Sequence, residues 1–296
     1  MSSLPLNKMI VSLLEPIKTQ PSQIQPKLKK INNIRAVLFD VYGTLLTTNV
    51  GGNSLSEPSV EFDQAIISAL EASDFDIFDK DVAFSRLYVD HVQAHYDIRH
   101  AEGITYPEIN ICDVWQDFLN ELFASGTIDG DLTERAIRRL IIRHECMVNP
   151  VWPQNGALEC LRKLQDRNIA MGTISTAQFY TPITMEALFQ NSLETLGFKR
   201  PICIWSYEHR HRKPSAIMFQ LCVEGLKALG ITPEEAIYVG NDMVNDIIPA
   251  NKAGLKTALF AGDDSSLRLR EDNEEAAKIK PTIIFNSFSQ LLDCLV

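Results

Sequence analysis

Apolar runs in this 296-residue chain end in residues whose types can do chemistry. The first run ends at Asp40, and a later run ends at Ser175 and Thr176. A third run is followed by a short polar segment that contains Asp242 and Asp246. An Asp has an ordinary pKa of about 3.9, so it is ionised at neutral pH and can attack an electrophile without a separate base. These carboxylates therefore indicate nucleophilic or metal-assisted chemistry.

A positively charged residue completes this set. Lys213 stands in a basic loop directly before a proline and a helical pattern. Attack by a carboxylate on an anionic phosphoryl group needs cations, because the two groups repel each other. Lys213 supplies one positive charge, Mg²⁺ held by carboxylates supplies more, and the Ser175 hydroxyl can donate to a phosphoryl oxygen. The pattern thus favours displacement at a negatively charged electrophile.

The elements that must position these residues alternate between strand and helix patterns. Such an alternation predicts an α/β fold with a parallel sheet and helices on both faces. The carboxyl ends of parallel strands meet at one edge, where ligands bind in open sheets. Predicted strands cover residues 34–39, 169–174, 202–205, 236–239, 256–260 and 282–285, and predicted helices cover 157–164, 182–189, 214–229, 243–253 and 287–295.

A helical block interrupts this alternation between the first strand and the rest. Helical spacing dominates residues 56–148, and two prolines close the block at 149–153. We therefore predict a core domain formed by residues 31–55 and 149–296, with 56–148 as an all-helical insertion. The segments near 47–58 and 149–153 are the predicted hinges. Residues 1–30, with a short amphipathic helix and three spaced prolines, are an N-terminal extension expected to pack on the surface.

The ordered motifs resemble those of the haloacid dehalogenase superfamily of hydrolases, in its helical-cap branch. They are Asp40-Val-Tyr-Gly-Thr44, Ser175, Lys213-Pro214 and Gly240-Asn-Asp242 with Asp246. The resemblance implies a Rossmann-like core with a mobile helical cap. It also implies that Asp40 is the covalent nucleophile, that Ser175 donates to the oxyanion and that Lys213 neutralises the intermediate.

In the phosphatase branches the resemblance further implies a Mg²⁺ site. Its ligands here would be the Asp40 side chain, the Tyr42 backbone carbonyl and Asp242. Asp246, four residues further on, would be a ligand or a partner of the ligands. The predicted substrate contacts are Tyr42, Gly43, Thr44 and Thr176, and the predicted substrate is a small phosphate monoester.

One position departs from the phosphatase pattern. Tyr42 stands where phosphatases of this family carry a second Asp, which protonates the leaving oxygen and later activates water. Tyrosine is typical there of the L-2-haloacid dehalogenases, because a halide leaves without a proton. A Mg²⁺-dependent phosphatase is the main prediction, and a dehalogenase or a catalytically weak phospho-ligand-binding protein are the alternatives. The cap residues His91, His95 and Glu102 are candidates to replace the missing acid.

Composition limits the partners of the chain. Its 28 Lys and Arg against 38 Asp and Glu give a formal charge of −10, which argues against nucleic acid and anionic membrane as partners. The six cysteines lack CxxC spacing, so neither a disulfide framework nor a zinc site is expected. These features favour a cytoplasmic location. The sequence gives no indication of oligomeric state.

Overall fold

The computed structural model describes residues 5–48 and 57–296. Ten strands occur in this part of the chain. They are β1 (Ala36–Phe39), β2 (Leu46–Thr48), β3 (Asp76–Ile77), β4 (Ile128–Asp129), β5 (Val151–Pro153), β6 (Ala170–Ser175), β7 (Phe198–Trp205), β8 (Ala236–Gly240), β9 (Lys256–Phe260) and β10 (Ile283–Phe285).

Twelve α-helices accompany these strands within the described residues. They are α1 (Leu6–Leu13), α2 (Val60–Glu71), α3 (Phe84–Ala101), α4 (Ile111–Ala124), α5 (Glu134–Val148), α6 (Ala157–Asp166), α7 (Tyr180–Phe189), α8 (Ser206–His209), α9 (Ala216–Ala228), α10 (Ile248–Lys252), α11 (Glu274–Lys278) and α12 (Phe288–Cys294).

Six strands form one parallel sheet in the order β10-β9-β8-β1-β6-β7. Strand β1 lies in the middle, and all four of its residues have no solvent exposure. A strand covered on both faces needs a continuous apolar run, which is why Ala-Val-Leu-Phe carries no polar residue. The predicted α/β class with a Rossmann-like parallel sheet is confirmed. The central place of β1 sets the residue after it between the ends of β6 and β8.

The helix predicted over residues 243–253 has two parts. Met243–Ile247 form a π-helical turn, and α10 continues from it. The Asp242 side chain accepts from the backbone N–H groups of Val244 and Asn245, so this carboxylate caps the turn. The widened turn carries Asp246 back toward β8.

The block between β2 and β5 contains helices α2 to α5. Trp115 and Phe118 of α4 are fully buried and pack on Tyr88 and His144 of the neighbouring helices. Their helical spacing reflects this apolar core. The prediction of an all-helical insertion misses one short antiparallel pair, β3 with β4. Strands of two residues are too short to produce a recognisable pattern in the sequence.

The connections to this block pair with each other. Strands β2 and β5 are antiparallel, with Thr48 opposite Val151. The first predicted hinge, residues 47–58, lies partly outside the described residues, since 49–56 are not described; the second predicted hinge contains β5. The division into domains and the hinges stay predictions.

The N-terminal segment packs more closely than a surface appendage. Met9 and Ile10 of α1 are buried, and α1 contacts both α5 and α7. Further along, Lys27 pairs antiparallel with Ile284 of the edge strand β10. This segment therefore covers one edge of the sheet. Among the residues described, no helix is long and apolar enough to cross a membrane.

Candidate active site

Asp40 lies immediately after the central strand β1. Its backbone N–H donates to the Val239 carbonyl at 2.8 Å, which continues the sheet pairing for one residue beyond the strand. The chain then turns at Gly43, where φ is +81°. A Cβ atom at Gly43 would lie 2.6 Å from the Asn241 amide nitrogen, so only glycine fits this turn without strain. The turn holds Asp40 at the carboxyl edge of the sheet.

Lys213 joins two of the predicted acidic residues. Its Nζ lies 2.7 Å from Asp40 Oδ1 and 2.5 Å from Asp246 Oδ1. Burial alone would lower the pKa of Lys213, but the charges of Asp246 and Asp40 outweigh burial and raise that pKa above its usual value. Lys213 is therefore a fixed cation between two carboxylates.

Asp246 is fully buried, and its oxygens are bonded within the protein. Oδ2 accepts from the backbone N–H groups of Asn241 and Asp242 at 3.1 and 3.0 Å, and Oδ1 lies 3.0 Å from the Tyr238 hydroxyl. Burial raises the pKa of Asp246 to about 6, although Lys213 opposes this rise. A Cβ at Gly240 would lie 2.5 Å from this carboxyl group, so glycine permits the close approach. This environment suits a group that orients Lys213 better than a metal ligand.

Asp242 carries a different partner, Arg270. The guanidinium reaches Asp242 Oδ2 through Nη2 at 2.7 Å and through Nε at 3.2 Å. Asp242 Oδ1 accepts from the Val244 and Asn245 N–H groups at 2.8 and 3.1 Å. Among the residues that the structure describes, no three His, Cys, Asp or Glu side chains are arranged to hold a metal ion together.

Ser175 and Thr176 occupy different positions at the end of β6. Ser175 is fully buried, and its hydroxyl lies 3.4 Å from the neighbouring carbonyl of Thr176. Thr176 lines the cavity above Asp40, and its hydroxyl accepts from the Lys213 backbone N–H at 3.3 Å. Of these two predicted site residues, Thr176 is the one that faces the open space.

Tyr42 directs its hydroxyl into the protein. That hydroxyl is 2.8 Å from the Thr181 hydroxyl of α7. Burial raises the pKa of Tyr42 far above its usual value, and the nearby charge of Glu145 raises it further. A phenol with so high a pKa is a poor proton donor to a substrate. The Thr44 hydroxyl donates to Asn241 Oδ1 at 3.2 Å and thereby supports the turn.

A cavity of about 600 Å³ opens over Asp40. Four cationic side chains belong to its lining, namely Arg212, Lys213, Arg268 and Arg270. Its acidic lining residues are Asp40, Asp242 and Asp246. A volume of this size accepts a small molecule, and the positive groups suit an anionic one. The motifs predict that residues 40, 175, 213 and 242 gather at one place; Asp40, Lys213 and Asp242 belong to this lining, and Ser175 does not.

Sequence comparison identifies the family. The profile of the haloacid dehalogenase-like hydrolases matches residues 34–254, which include Asp40, Lys213 and Asp242 of the cavity lining. The chain belongs to this family. It is therefore a hydrolase with the Rossmann-like core that the motifs indicated.

Individual relatives of this hydrolase carry different activities in their names. A "ribulose-1,5-bisphosphate 5-phosphatase" of Halopiger xanaduensis (strain DSM 18323 / JCM 14033 / SH-6) is 28% identical over 139 residues, which are 46% of this chain and 54% of that protein. The match thus spans about half the length of the curated relative. Among solved structures, a 2-haloacid dehalogenase from Pseudomonas syringae pv. Tomato DC3000 is 15% identical with a TM-score of 0.55, covering 88% of this chain and 97% of the other.

A third similar structure is a predicted phosphoglycolate phosphatase from Haemophilus somnus 129pt. It is 16% identical, with a TM-score of 0.45, over 88% of this chain and 97% of the other. At 15% identity the Pseudomonas dehalogenase structure shows the fold alone.

One loop of the inserted block docks on the core of this hydrolase beside Lys213. The Arg212 N–H donates to the Tyr106 carbonyl at 2.9 Å, and the Glu108 N–H donates to the Arg210 carbonyl at 3.0 Å. The Ser206 hydroxyl donates to Glu108 Oε2 at 2.6 Å. Burial raises the pKa of Glu108 to about 7, although the hydrogen bond from Ser206 and the nearby charge of Arg212 partly oppose the rise. The docked loop brings Tyr106 into the cavity lining.

The three cap residues proposed to replace the missing acid lie elsewhere. His91 bonds Glu121 and His95 bonds Asp117, each at 2.9 Å between helices α3 and α4. Glu102 is paired with Arg99 at 3.0 Å. In the described part of the chain, none of these three belongs to the cavity lining. This placement gives no support to their proposed role.

Sequence reasoning did not find Arg270 or Glu108. The stretch from Arg268 to Lys280 has the composition of an exposed, charged segment, and most of its residues are partly or fully exposed. Arg270 is joined to Asp242 only through the fold. Glu108 carries no motif, and a lone Glu in a loop gives no signal of burial.

Proposed function

We propose that this hydrolase is a Mg²⁺-dependent phosphatase that acts on a small phosphate monoester. The observation that carries this proposal is the position of Asp40. It lies at the floor of a cavity with a cationic lining, 2.7 Å from the Lys213 ammonium and beside two further carboxylates. A phosphatase name on one relative supports the same reaction class.

In this reaction Asp40 attacks phosphorus in line. A bond forms between an Asp40 oxygen and phosphorus while the bond to the ester oxygen breaks, and the leaving oxygen takes a proton from water. A second water then cleaves the aspartyl phosphate and releases inorganic phosphate. Lys213 offsets the negative charge that collects on the phosphoryl group, and the Thr176 hydroxyl donates to one of its oxygens. The buried Tyr42 phenol takes no part, so we expect slow turnover.

The residues fit Mg²⁺ by donor type. Asp40, Asp242 and the Tyr42 carbonyl supply hard oxygen donors, and Mg²⁺ commonly uses one or two carboxylates, substrate oxygens and waters. A bound Mg²⁺ would supply positive charge to the transferring phosphoryl group. Asp246 would stay outside the ligand set, because its oxygens already accept hydrogen bonds from Lys213 and two backbone N–H groups.

A 2-haloacid dehalogenase is the second candidate, and Tyr42 favours it. In that reaction Asp40 would displace a halide from carbon to form an ester, which water would then cleave. The leaving halide needs no proton, so a tyrosine in place of the second Asp would not slow this reaction. A site in which Lys213 already pairs with Asp40 and Arg270 with Asp242 is compatible with this reaction.

Two assays and one variant separate the candidates. We expect phosphate release from p-nitrophenyl phosphate that requires Mg²⁺ and is lost in Asp40→Asn. Chloride release from 2-chloropropionate that is insensitive to EDTA would instead support the dehalogenase. Binding of beryllofluoride without either activity would support a phospho-ligand-binding protein.

A further variant tests the account of the missing acid. Tyr42→Asp restores the residue that phosphatases of the family use at this place, so its phosphatase activity should exceed that of the native chain by about tenfold or more. No increase would contradict this account. The cytoplasmic location and the exclusion of nucleic-acid and membrane partners remain predictions of the sequence.

A further inference from the structure

The two oxygens of Asp242 are engaged in different ways. Oδ1 accepts from the backbone N–H groups of Val244 and Asn245, so that it caps the turn after β8, and it also lies 3.3 Å from Arg270 Nε. Oδ2 accepts from the Asn245 side-chain amide at 3.0 Å and from two nitrogens of Arg270. Two of the contacts to Oδ2 thus come from one cation.

Arg270 can leave this carboxylate without disturbing the core. Its side chain is 45% exposed, whereas the Asp242 side chain is 9% exposed. It lies in the loop between β9 and α11, at a left-handed position with φ of +55°. If Arg270 moves away, the backbone N–H groups and Asn245 still hold Asp242 in place. Oδ2 then keeps only the Asn245 amide and can accept a further partner at the cavity.

We propose that Arg270 is a resident counter-cation that competes with the divalent metal for Asp242, so that the metal binds only when this side chain leaves the carboxylate. This inference rests on the proposed function, since it takes Asp242 as a metal ligand. A cation already held by a carboxylate weakens the binding of a second one, because the two positive charges repel each other and the first partly neutralises the oxygen that both contact. Arg270 therefore lowers the metal affinity of the site and keeps Asp242 charge-balanced between turnovers.

The test is metal binding by the full chain, measured by titration calorimetry with MgCl₂ and with MnCl₂ in the absence of substrate. Arg270→Gln removes the competing charge and its two-pronged contact. Arg268→Gln is the matched control, because Arg268 lies two residues away, lines the same cavity and donates to the carbonyls of Ser265 and Leu267 rather than to a carboxylate.

We expect Arg270→Gln to bind both metals about ten- to hundredfold more tightly than the native chain. In the native chain the metal must first displace a charge-assisted contact, and breaking a contact of this kind weakens binding by about that factor. Arg268→Gln should stay within about threefold of the native affinity. Equal affinities of the native chain and Arg270→Gln would overturn the inference while leaving the magnesium site intact. An equal gain in metal affinity in both variants would also overturn the inference. The gain would then come from lowering the positive charge of the cavity and not from removing the contact of Arg270 with Asp242. If no variant binds metal, the magnesium site itself fails.

Discussion

Glu108→Gln is expected to remove a pH-dependent loss of stability. Glu108 is only 4% exposed, and its folded-state pKa lies near 7 instead of the usual 4.5. The folded chain therefore prefers the neutral carboxyl group. The stability that this preference contributes is fully present below about pH 4.5 and is lost as the pH rises through about 7.

The magnitude follows from the two pKa values. The folded and unfolded pKa values of Glu108 differ by about 2.5, and each pKa unit is worth about 1.36 kcal/mol, so the neutral carboxyl group contributes about 3 kcal/mol to the free energy of unfolding. About 2.5 kcal/mol of this contribution is lost between pH 5 and pH 8. Glutamine has the same shape and stays neutral. Its amide nitrogen cannot accept from the Ser206 hydroxyl, which costs about 1 kcal/mol at every pH. The variant should therefore be slightly less stable than the native chain at pH 5 and more stable at pH 8.

Urea denaturation at pH 5, 6, 7 and 8, followed by tryptophan fluorescence and circular dichroism, measures this difference. Glu102→Gln is the control, because that side chain is 46% exposed and belongs to the same inserted block. The control should differ from the native chain by less than about 0.5 kcal/mol at each pH. If the difference between Glu108→Gln and the native chain stays constant from pH 5 to pH 8, the reasoning about the buried carboxyl is refuted.

Three further changes follow from the site. Asp246→Ala leaves Lys213 with one fewer partner and two backbone N–H groups unpaired, so urea denaturation should show a loss of about 3–5 kcal/mol; a loss below about 1 kcal/mol would contradict this. Tyr42→Phe should change kcat for p-nitrophenyl phosphate by less than about threefold, because the hydroxyl already bonds the Thr181 hydroxyl of α7; a hundredfold decrease would show that the phenol takes part. Gly43→Ala should cost about 1–3 kcal/mol in thermal denaturation, because φ is +81° and the new Cβ meets an amide nitrogen at 2.6 Å; an unchanged Tm would refute the strain.

The sheet was predictable because its strands are covered on both faces. The run Ala36–Phe39 is apolar at every position, and β9 begins and ends where the pattern placed it. Element boundaries elsewhere moved by one to four residues, as at β7, which begins at Phe198 instead of 202. Between the buried Phe198 and Ile202 stand Lys199, Arg200 and Pro201, which are exposed at the edge of the sheet and interrupt the apolar run.

The candidate site was predictable only in part. Asp40 and Lys213 were named from motifs, and the fold brings their charged atoms to 2.7 Å. The contact of Arg270 with Asp242 crosses 28 positions in the chain. No local pattern of charge distinguishes that arginine from its exposed neighbours, because the contact depends on how the loop after β9 crosses the end of β8.

The sequence by itself determined the layered α/β architecture and the order of the reactive residues, and it predicts the helical insertion. These depend on periodicity and on turn residues, which act over short stretches of chain. Tertiary structure alone decided that Asp246 orients Lys213, that Tyr42 turns its hydroxyl inward and that Arg270 occupies Asp242. Each of these contacts depends on which polar groups are buried away from water and on which partner then lies within hydrogen-bonding distance. Burial and distance are properties of the folded chain and not of any short stretch of sequence.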